Sequence, residues 1–406
     1  MDIDKIRQDF PLLRNNFHGR KIVYFDNACQ SLRPQAVIGA ISNYYASMSA
    51  CAGRSAHRLG ELVNLKCDEA RKLTAKFIGA RKKEEIIFTR NTTEGINLVA
   101  HSLNLKKDDI VLTSDKEHNS NLIPWQILVK KSGIKHIVLP SRSDNTFNEE
   151  VFKKTLSDFP GRIKLVSLVH SSNLDGVTIP AKEIIRMSHQ VGAKALLDAA
   201  QSASHQKINV ADLDVDFLAF SGHKMLGPSG IGVLYGKYKL LENLEPFLVG
   251  GDTVEYSTYE DHKLLPPPEK FEAGLQDYAG IIGLAEALKY IEKVGWNNIA
   301  EQEYKLKKFV SAELKKIPLL KIIGPADPQM RSGIVTFYID GKQSHEIALL
   351  LDQTANIMVR SGQFCVHSWF NAQHIKDAVR ISFSFYNTAE EAKFFIETLN
   401  KIIKIL

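Results

Sequence analysis

The sequence predicts an α/β layered fold with a mainly parallel central sheet and a smaller C-terminal α/β domain. Strand-like and helix-like segments alternate along most of the 406 residues, which is typical of α/β proteins. The length favours one large and one smaller domain. Hydrophobic residues make up 44% and charged residues 24% of the chain, ordinary values for a globular protein with a sizeable core.

The first half of the chain shows the strand–helix alternation most clearly. Ile96, Val99, Ala100 and Leu103 follow one another at helical spacing. Asn91 and Glu94 stand in the N-x-x-E relation of a capping box, so this helix should begin near Thr92. A second helix is predicted at 180–192. Strands are predicted at 84–90, 108–114, 164–170 and 193–198.

The pattern loosens at 249–276, where Gly, Pro and charged residues predict a long loop or a protruding hairpin. The segment 281–295 reads as a long amphipathic helix that bridges to the second domain, which carries strands at 332–339 and 378–386. We therefore expect a large domain over 21–287 and a small domain over 288–406, joined by the N-terminal segment 1–20.

Charge and hydropathy exclude several classes of protein. The net charge is +6 with no long basic run, which favours small anionic ligands at most and does not indicate nucleic acid. The N-terminus, MDIDKIRQDFPLL, is not a signal peptide, and no apolar run approaches the roughly 20 residues of a membrane span. The four cysteines, at 29, 51, 67 and 365, lack CxxC spacing, so we expect no metal site, no disulfide framework and a cytoplasmic location.

Lys224 occupies an unusual place in "SGHKMLGPSGIGVLY" (221–235), between the apolar segments 217–220 and 231–235. A lysine ammonium is almost never buried without a partner. Either Lys224 reaches solvent, or its amine is chemically used. A desolvated lysine has a lowered pKa and can form a Schiff base with an aldehyde.

Asp198 closes an apolar strand in "LLDAAQS", 26 residues before Lys224. The two residues could therefore lie on neighbouring strands and face one pocket at the carboxyl edge of the sheet. Taken alone, Asp198 reads more simply as the N-cap of the next helix.

Two further segments bear on chemistry. In "RNTTEG", Thr92, Thr93 and the free N–H groups of a helix start can form an anion site, although a plain capping motif is the simpler interpretation. In "VRSGQFCVHSW", Cys365 lies on a Gly-containing loop near Arg360, a better setting for a reactive thiolate than the core position usual for a lone cysteine.

Taken together, these motifs resemble the class V, fold-type-I enzymes that use pyridoxal 5′-phosphate (PLP), and most closely the SufS-type cysteine desulfurases and selenocysteine lyases. The resemblance runs from "YFDNACQSLRP" through "RNTTEGINLVA", "EHNSNLIPW", "SSNLDGVTIP", "LLDAAQSASH" and "FEAG" to "RSGQFC" and "VRISFSFYN". Each piece is weak alone, but their joint order and spacing make the assignment strong.

The resemblance implies a role for each matching position. Lys224 matches the lysine that binds PLP covalently, and Asp198 the carboxylate paired with the pyridine nitrogen. The other matches are His118 as the imidazole stacked on the ring, with proton transfer as a second role; Gln201 as donor to the phenolic oxygen; Thr93, Ser221 and His223 as phosphate ligands; Arg380 as the clamp on the substrate carboxylate; Asn173 and Ala28 as its helpers; Arg360 and His57 as further active-site positions; and Cys365 as the catalytic cysteine.

The sequence departs from the family pattern at two places. Leu275-Gln276-Asp277 follows "FEAG" where a threonine commonly reaches the neighbouring subunit's phosphate, and leucine cannot donate that hydrogen bond. Gln363 and Phe364 stand where two histidines often precede the catalytic cysteine. His367 could replace that proton donor, although a structural or surface histidine is the simpler interpretation.

The implied reaction converts L-cysteine to L-alanine and leaves a persulfide on Cys365, which passes its sulfur to an acceptor or scaffold protein for iron–sulfur cluster or other thio-cofactor assembly. The resemblance also implies a homodimer. Selenocysteine lyase activity stays open, as does another PLP reaction such as transamination or kynurenine cleavage. A dinucleotide-binding role would need GxGxxG after a strand, and "GPSGIG" lacks that spacing.

Overall fold

The structure is a computed structural model that describes residues 1–17, 19–53 and 55–406. Its α-helices are α1 (Ile3–Gln8), α2 (Gln35–Ser47), α3 (Arg58–Ile78), α4 (Thr92–Ser102), α5 (Ile123–Ser132), α6 (Glu149–Asp158), α7 (Ala181–Gln190), α8 (Val210–Leu213), α9 (Tyr238–Asn243), α10 (Tyr278–Val294), α11 (Trp296–Leu314), α12 (Ser344–Ala355), α13 (His367–Ala372) and α14 (Ala389–Ile403).

The strands are β1 (Asn16–Phe17), β2 (Arg20–Lys21), β3 (Val23–Tyr24), β4 (Ile86–Thr89), β5 (Ile110–Ser114), β6 (Lys135–Leu139), β7 (Ile163–Val169), β8 (Lys194–Asp198), β9 (Phe217–Ser221), β10 (Gly232–Gly236), β11 (Val254–Ser257), β12 (His262–Leu264), β13 (Leu320–Ile323), β14 (Ile334–Ile339), β15 (Ile357–Met358), β16 (Arg360–Gly362) and β17 (Ala378–Ser382).

A seven-stranded sheet forms the centre of the fold, in the order β4-β10-β9-β8-β7-β5-β6. Strands β5 to β9 run parallel, which confirms the predicted mainly parallel sheet. Strand β10 is antiparallel to both β9 and β4, because the connection from β9 is too short for a parallel crossover. The carboxyl ends of β7, β8 and β9 therefore share one edge, where ligands bind in open α/β sheets.

Helix α4 begins at Thr92, as predicted, and the side chain of Asn91 accepts a 3.0 Å hydrogen bond from Glu94 N. The second half of the predicted capping box is different. The Glu94 carboxylate accepts from the backbone N–H of Arg90 instead of that of Asn91. The first turn of α4 faces the same edge of the sheet.

A four-stranded sheet, in the order β13-β14-β17-β16, forms a second layer with helices α11, α12 and α14. Its core contains side chains such as Phe337, Phe383 and Phe395. Strand β3 pairs in parallel with β15 as a separate two-stranded sheet. Val23 and Ile357 of these strands are buried in the same core. The predicted α/β architecture, a mainly parallel central sheet with a smaller α/β layer, is confirmed. The domain boundary at 287 lies inside α10 and stays a prediction.

The segment 249–276 contains an antiparallel hairpin formed by β11 and β12, which agrees with the predicted protruding hairpin. Tyr259, at its tip, is fully exposed, and Tyr256 and Val249 are also exposed. Within the described ranges, we find no helix long and apolar enough to cross a membrane.

Candidate active site

A cavity of about 250 Å³ lies at the carboxyl edge of the central sheet, against strands β16 and β17 of the second layer. The predicted site residues, His57 excepted, all line it. The lining consists of Ala28, Cys29, Asn91, Thr92, Thr93, His118, Ser120, Val169, Asn173, Asp198, Ala200, Gln201, Ser221, His223, Lys224, Arg360, Phe364, Cys365 and Arg380.

His57 is the one predicted site residue that this chain does not bring to the cavity. It is exposed and caps helix α3, where its Nδ1 accepts a 3.2 Å hydrogen bond from Gly60 N. The structure of one chain therefore gives His57 a capping role, and its part in substrate binding stays a prediction.

Asp198 and Lys224 lie on neighbouring parallel strands, as the sequence predicts. Asp198 ends β8, is 2% exposed and accepts a 2.9 Å hydrogen bond from Ala200 N. Lys224 lies in the turn directly after β9 and, among the residues described, its amine has no hydrogen-bond partner. Burial raises the pKa of Asp198, opposed by Lys224, and burial lowers the pKa of Lys224, opposed by Asp198. The site thus holds an amine with an increased neutral fraction near a carboxylate.

The start of α4 and the end of β9 meet at one side of the cavity. Ser221 Oγ accepts a 2.8 Å hydrogen bond from Thr92 N and lies 2.6 Å from Thr92 Oγ1. Thr93 Oγ1 lies 2.7 Å from Ser120 Oγ. Burial and, secondly, Lys224 lower the pKa of His223 to about 4. Hydroxyl groups at the start of a helix suit an anion such as phosphate.

His118 lies next to Ser120, in the turn that follows β5. Its Nδ1 accepts a 3.1 Å hydrogen bond from Ser120 N, so the neutral ring carries its proton on Nε2. Burial, followed by the charges of Lys224 and Arg380, lowers the pKa of His118 to about 3. At neutral pH His118 is therefore an uncharged imidazole that can stack on a ring and donate a hydrogen bond from Nε2.

Arg380 is almost fully buried, at 3% exposure. Its Nη1 donates a 3.0 Å hydrogen bond to Asn173 O, and its guanidinium lies 4.8 Å over the Phe364 ring. Arg380 Nε has no partner within the described part of the chain. Both arginines approach Asp26, Arg380 Nη2 at 3.5 Å from Oδ1 and Arg360 Nη1 at 4.0 Å from Oδ2, but Arg360 is exposed. Arg380 is the better placed of the two to bind a carboxylate inside the cavity.

The backbone of Ala28 is fixed from both sides. Gln201 Nε2 donates a 2.7 Å hydrogen bond to Ala28 O, and Ala28 N donates a 2.9 Å hydrogen bond to Ser382 Oγ. Gln201 keeps one further amide hydrogen for a ligand.

Cys365 lies exposed at the mouth of the cavity, on a loop with left-handed backbone. The φ angles of Phe364 and Cys365 are 50° and 59°, a conformation that costs a non-glycine residue about 1–2 kcal/mol. Two hydrogen bonds of 2.8 Å hold this loop, from Asn173 Nδ2 to Phe364 O and from Asn119 N to Cys365 O. The thiol is therefore presented by a restrained loop.

His367, the predicted substitute proton donor, pairs with Asn119 Nδ2 through its Nδ1 at 2.9 Å and is exposed. Sequence reasoning did not single out Asp26, Ser120 or Cys29 as parts of this site. Asp26 and Cys29 lie in the quoted motif "YFDNACQSLRP", which could have drawn attention to them. Ser120 carried no such signal beyond its nearness to His118.

Comparison with known proteins supports this picture. The sequence matches the family described as aminotransferase class-V over residues 23–395. A probable cysteine desulfurase of Halalkalibacterium halodurans is 39% identical over 404 residues, covering 99% of this chain and 98% of that protein. A cysteine desulfurase of Synechococcus elongatus is also 39% identical over 99% of this chain, which spans only 63% of that longer protein.

The solved structures agree. The apo cysteine desulfurase of Thermococcus onnurineus NA1 superimposes with a TM-score of 0.94 at 38% identity, covering 99% of this chain and 98% of that one. The S-sulfonic acid form of a cysteine desulfurase from Escherichia coli gives 0.91 at 29% identity, covering 100% and 99%. The fold and the site thus place this protein among α/β enzymes that carry a lysine at the carboxyl edge of the central sheet. Within that class, the chain belongs to the aminotransferase class-V family, which confirms the resemblance seen in the motifs.

Proposed function

We propose that this protein is a PLP-dependent cysteine desulfurase, which converts L-cysteine to L-alanine and takes the sulfur onto Cys365. The observation that carries the proposal is the meeting of the Lys224 amine, the Arg380 guanidinium and the Cys365 thiol around one cavity. The similar proteins named cysteine desulfurase support it.

The cavity residues fit PLP. Asp198 is a buried carboxylate with a hydrogen bond on only one oxygen among the described residues, which suits a protonated ring nitrogen. The Lys224 amine, left without a hydrogen-bond partner by the described residues, suits the cofactor's aldehyde. Thr92, Thr93, Ser221 and His223 would hold the phosphate. His118 would lie against the ring, and Gln201 would donate to the phenolic oxygen.

PLP, when bound, withdraws electrons from the amino acid and makes its Cα proton acidic. The chain's own residues supply the rest. Arg380 binds the substrate carboxylate, because a buried guanidinium with a free N–H forms strong charge-assisted hydrogen bonds. The Lys224 amine accepts the Cα proton, a role that burial favours because it lowers the pKa of the amine. Neutral His118 can donate a hydrogen bond through its Nε2–H to the reacting groups.

The Cys365 thiolate then attacks the substrate sulfur. A sulfur–sulfur bond forms and the substrate carbon–sulfur bond breaks, with its electron pair and a proton ending on the substrate carbon as L-alanine. The product on the protein is a persulfide at Cys365, and no oxidant is consumed.

Three further proposals rest on the same resemblance. The persulfide passes its sulfur to an acceptor or scaffold protein for iron–sulfur cluster or other thio-cofactor assembly. The protein is a homodimer, to which the exposed hairpin of β11 and β12 contributes. The enzyme works in the cytoplasm and turns over slowly without an acceptor, because the Cys365 loop is restrained.

Cys365→Ser tests the sulfur step. The variant should bind PLP but release neither alanine nor sulfide from L-cysteine, because a serine hydroxyl is a poor nucleophile toward sulfur. Cys51→Ser, on an exposed cysteine outside the cavity, is the matched control and should behave as wild type. Full desulfuration by Cys365→Ser would overturn the mechanism.

The same variant, Cys365→Ser, distinguishes cysteine desulfurase activity from selenocysteine lyase activity. A selenolate leaves more readily than a thiolate, so selenocysteine can be cleaved without a protein thiol. Loss of activity on cysteine with partial retention on selenocysteine is the expected pattern. Equal loss on both substrates would mean that Cys365 shapes the pocket instead of attacking sulfur.

Lys224→Ala tests the cofactor. Reduction with borohydride should attach PLP covalently to the wild-type peptide that contains Lys224, as read by mass spectrometry, and not to the variant. Lys237→Ala, which alters a lysine paired with Asp214 and Asp216 outside the cavity, should label normally. Full activity and labelling elsewhere in Lys224→Ala would exclude Lys224 as the PLP-binding residue.

A further inference from the structure

A second thiol, that of Cys29, lines the same cavity as Lys224 and Cys365. Cys29 is partly buried, and its sulfur makes no hydrogen bond to any residue that the structure describes. Its backbone is held in place, because Cys29 N donates a 3.1 Å hydrogen bond to Asp26 O and the preceding residue, Ala28, is bonded on both sides. The thiol therefore faces the reaction space from a fixed position.

The other two cysteines have different surroundings. Cys51 is exposed and does not line the cavity. Cys67 is buried in the hydrophobic core, where burial raises the pKa of its thiol to about 12. Cys29 and Cys365 are thus the two thiols that share the site.

The charges of the site connect both sulfur atoms to the same cation. The Lys224 amine lies within electrostatic range of the sulfur atoms of Cys29 and Cys365. The Arg380 guanidinium lies within electrostatic range of the Cys29 sulfur. Both cations thus lie within electrostatic reach of the Cys29 sulfur, and cysteine reacts as a nucleophile in its thiolate form.

We propose that Cys29 is a second sulfur carrier, which receives the sulfur from the persulfide on Cys365. This inference rests on the proposed cysteine desulfurase function. The Cys29 thiolate attacks the outer sulfur of the persulfide, and a bond forms between that sulfur and Cys29 Sγ. The bond between the outer sulfur and Cys365 Sγ breaks, and Cys365 leaves as a thiolate that takes up the proton lost by Cys29.

This exchange moves one sulfur between two thiols and needs no oxidant or reductant. The persulfide also brings the sulfur closer, because it adds a bond of about 2 Å to the reach of Cys365. The outer sulfur is the accessible target. Attack on the inner sulfur would instead join Cys29 and Cys365 in a disulfide and release the outer sulfur as sulfide.

As a consequence, one active site stores two sulfur atoms before turnover of L-cysteine stops. After the transfer Cys365 is free to act on a second L-cysteine. Without an acceptor or added thiol, the wild-type holoenzyme should therefore form two alanines per site in its burst, and Cys29→Ala should form one.

The experiment mixes each PLP-loaded protein with a small excess of L-cysteine, quenches at intervals with an alkylating agent, and measures alanine and the modified peptides. Trypsin separates the two cysteines, because cleavage after Lys21 and after Arg360 places them on different peptides. The Cys29 peptide also contains Cys51, so the Cys51→Ala protein is the one in which sulfur on this peptide is assigned to Cys29. Cys51→Ala is the matched control for a non-cavity cysteine. Cys365→Ser shows whether Cys29 acquires sulfur without Cys365.

The expected result is a twofold larger alanine burst in wild type and in Cys51→Ala than in Cys29→Ala, with persulfide on both the Cys29 and the Cys365 peptide. Cys365→Ser should show persulfide on neither. A wild-type burst of one alanine, with persulfide on Cys365 alone, would overturn the relay and leave the desulfurase function standing. A Cys29–Cys365 disulfide, or a Cys29→Ala variant that forms no first alanine, would also overturn it. Absence of alanine from every variant would overturn both proposals.

Discussion

Asn173 Nδ2 donates a 2.8 Å hydrogen bond to the carbonyl oxygen of Phe364. Asn173 lies on the loop after strand β7 of the central sheet, and Phe364 directly precedes Cys365 between β16 and α13. This one contact therefore ties the loop that presents the thiol to the edge of the sheet that carries Asp198. It also joins the thiol to the proposed carboxylate-binding residue, because Arg380 bonds to Asn173 O and stacks on the Phe364 ring.

Asn173→Ala should slow sulfur abstraction while leaving PLP in place. The variant loses one hydrogen bond, worth about 1 kcal/mol, and leaves the left-handed Phe364–Cys365 backbone less restrained. We expect single-turnover alanine formation to fall about fivefold or more, with unchanged PLP absorbance. Asn119→Ala is the control, because it removes an exposed side-chain contact to His367 but keeps the backbone N–H that bonds Cys365 O. An unchanged rate in Asn173→Ala would show that this contact does not position the thiol.

The sequence was sufficient to place Asp198 and Lys224 together. Both residues follow apolar segments that predict strands. Because neighbouring parallel strands bring their carboxyl ends to one edge of a sheet, the sequence alone predicts that the two residues lie at the same edge. The start of helix α4 was also predictable, since the Asn91 cap is a contact within four residues.

Other features depend on contacts that no local pattern encodes. The apolar residues of β10 give no strand direction, so the antiparallel pairing with β4 and β9 was not predicted. The contact from Asn173 to Phe364 joins residues 191 positions apart. His57 was placed in the site by resemblance alone, whereas the single chain uses its ring to cap α3.

Asp198→Asn should weaken PLP binding and slow removal of the Cα proton. Asparagine can still accept the hydrogen bond from Ala200 N, so the local backbone is kept while the negative charge is lost. Because a hydrogen bond to a charged group contributes about 1.5–3 kcal/mol, PLP should dissociate about tenfold faster or more.

The measurements are PLP absorbance after dilution and the exchange of the Cα hydrogen of L-alanine in D2O. Asp198→Ala, which also removes the contact to Ala200 N, is the comparison. If Asp198→Asn retained PLP and exchanged the Cα hydrogen as wild type does, the charge would not act on the cofactor.

His118 should make the apo protein less stable as the pH falls. Its pKa is lowered to about 3 in the folded protein, against about 6.5 when unfolded. Between these values the unfolded chain binds a proton that the folded one does not, so stability is lost as pH falls below about 6.5. The upper limit of this contribution is about 1.4 kcal/mol per pH unit.

Urea unfolding measures this effect when the apo wild type and His118→Gln are compared between about pH 4 and pH 7, which covers most of the interval between the two pKa values. The variant should lose less stability toward acid than wild type does. His262→Gln, on the exposed β11–β12 hairpin, is the control for removing a histidine outside the site. Parallel curves for wild type and His118→Gln would contradict the low pKa of His118.

Leu275→Thr should raise the affinity for PLP. Leu275 is 71% exposed and lies just before Asp277, whose side chain caps helix α10 by accepting a 2.8 Å hydrogen bond from Gly280 N. In the proteins that this sequence resembles, a threonine at this place reaches the neighbouring subunit's phosphate. If the proposed homodimer forms in the same way, the new hydroxyl restores one hydrogen bond of about 0.5–1.5 kcal/mol, equal to about a two- to tenfold gain in affinity.

Leu275→Val is the matched control, because valine has the branched shape of threonine without the hydroxyl. The comparison uses the PLP dissociation constants of wild type and both variants. They are measured at protein concentrations at which the proposed homodimer is formed. A gain in Leu275→Thr that is absent from Leu275→Val would assign it to the hydroxyl and place this loop at the partner's phosphate. Equal affinities in all three proteins would mean that residue 275 lies away from the phosphate or that another donor already fills its place.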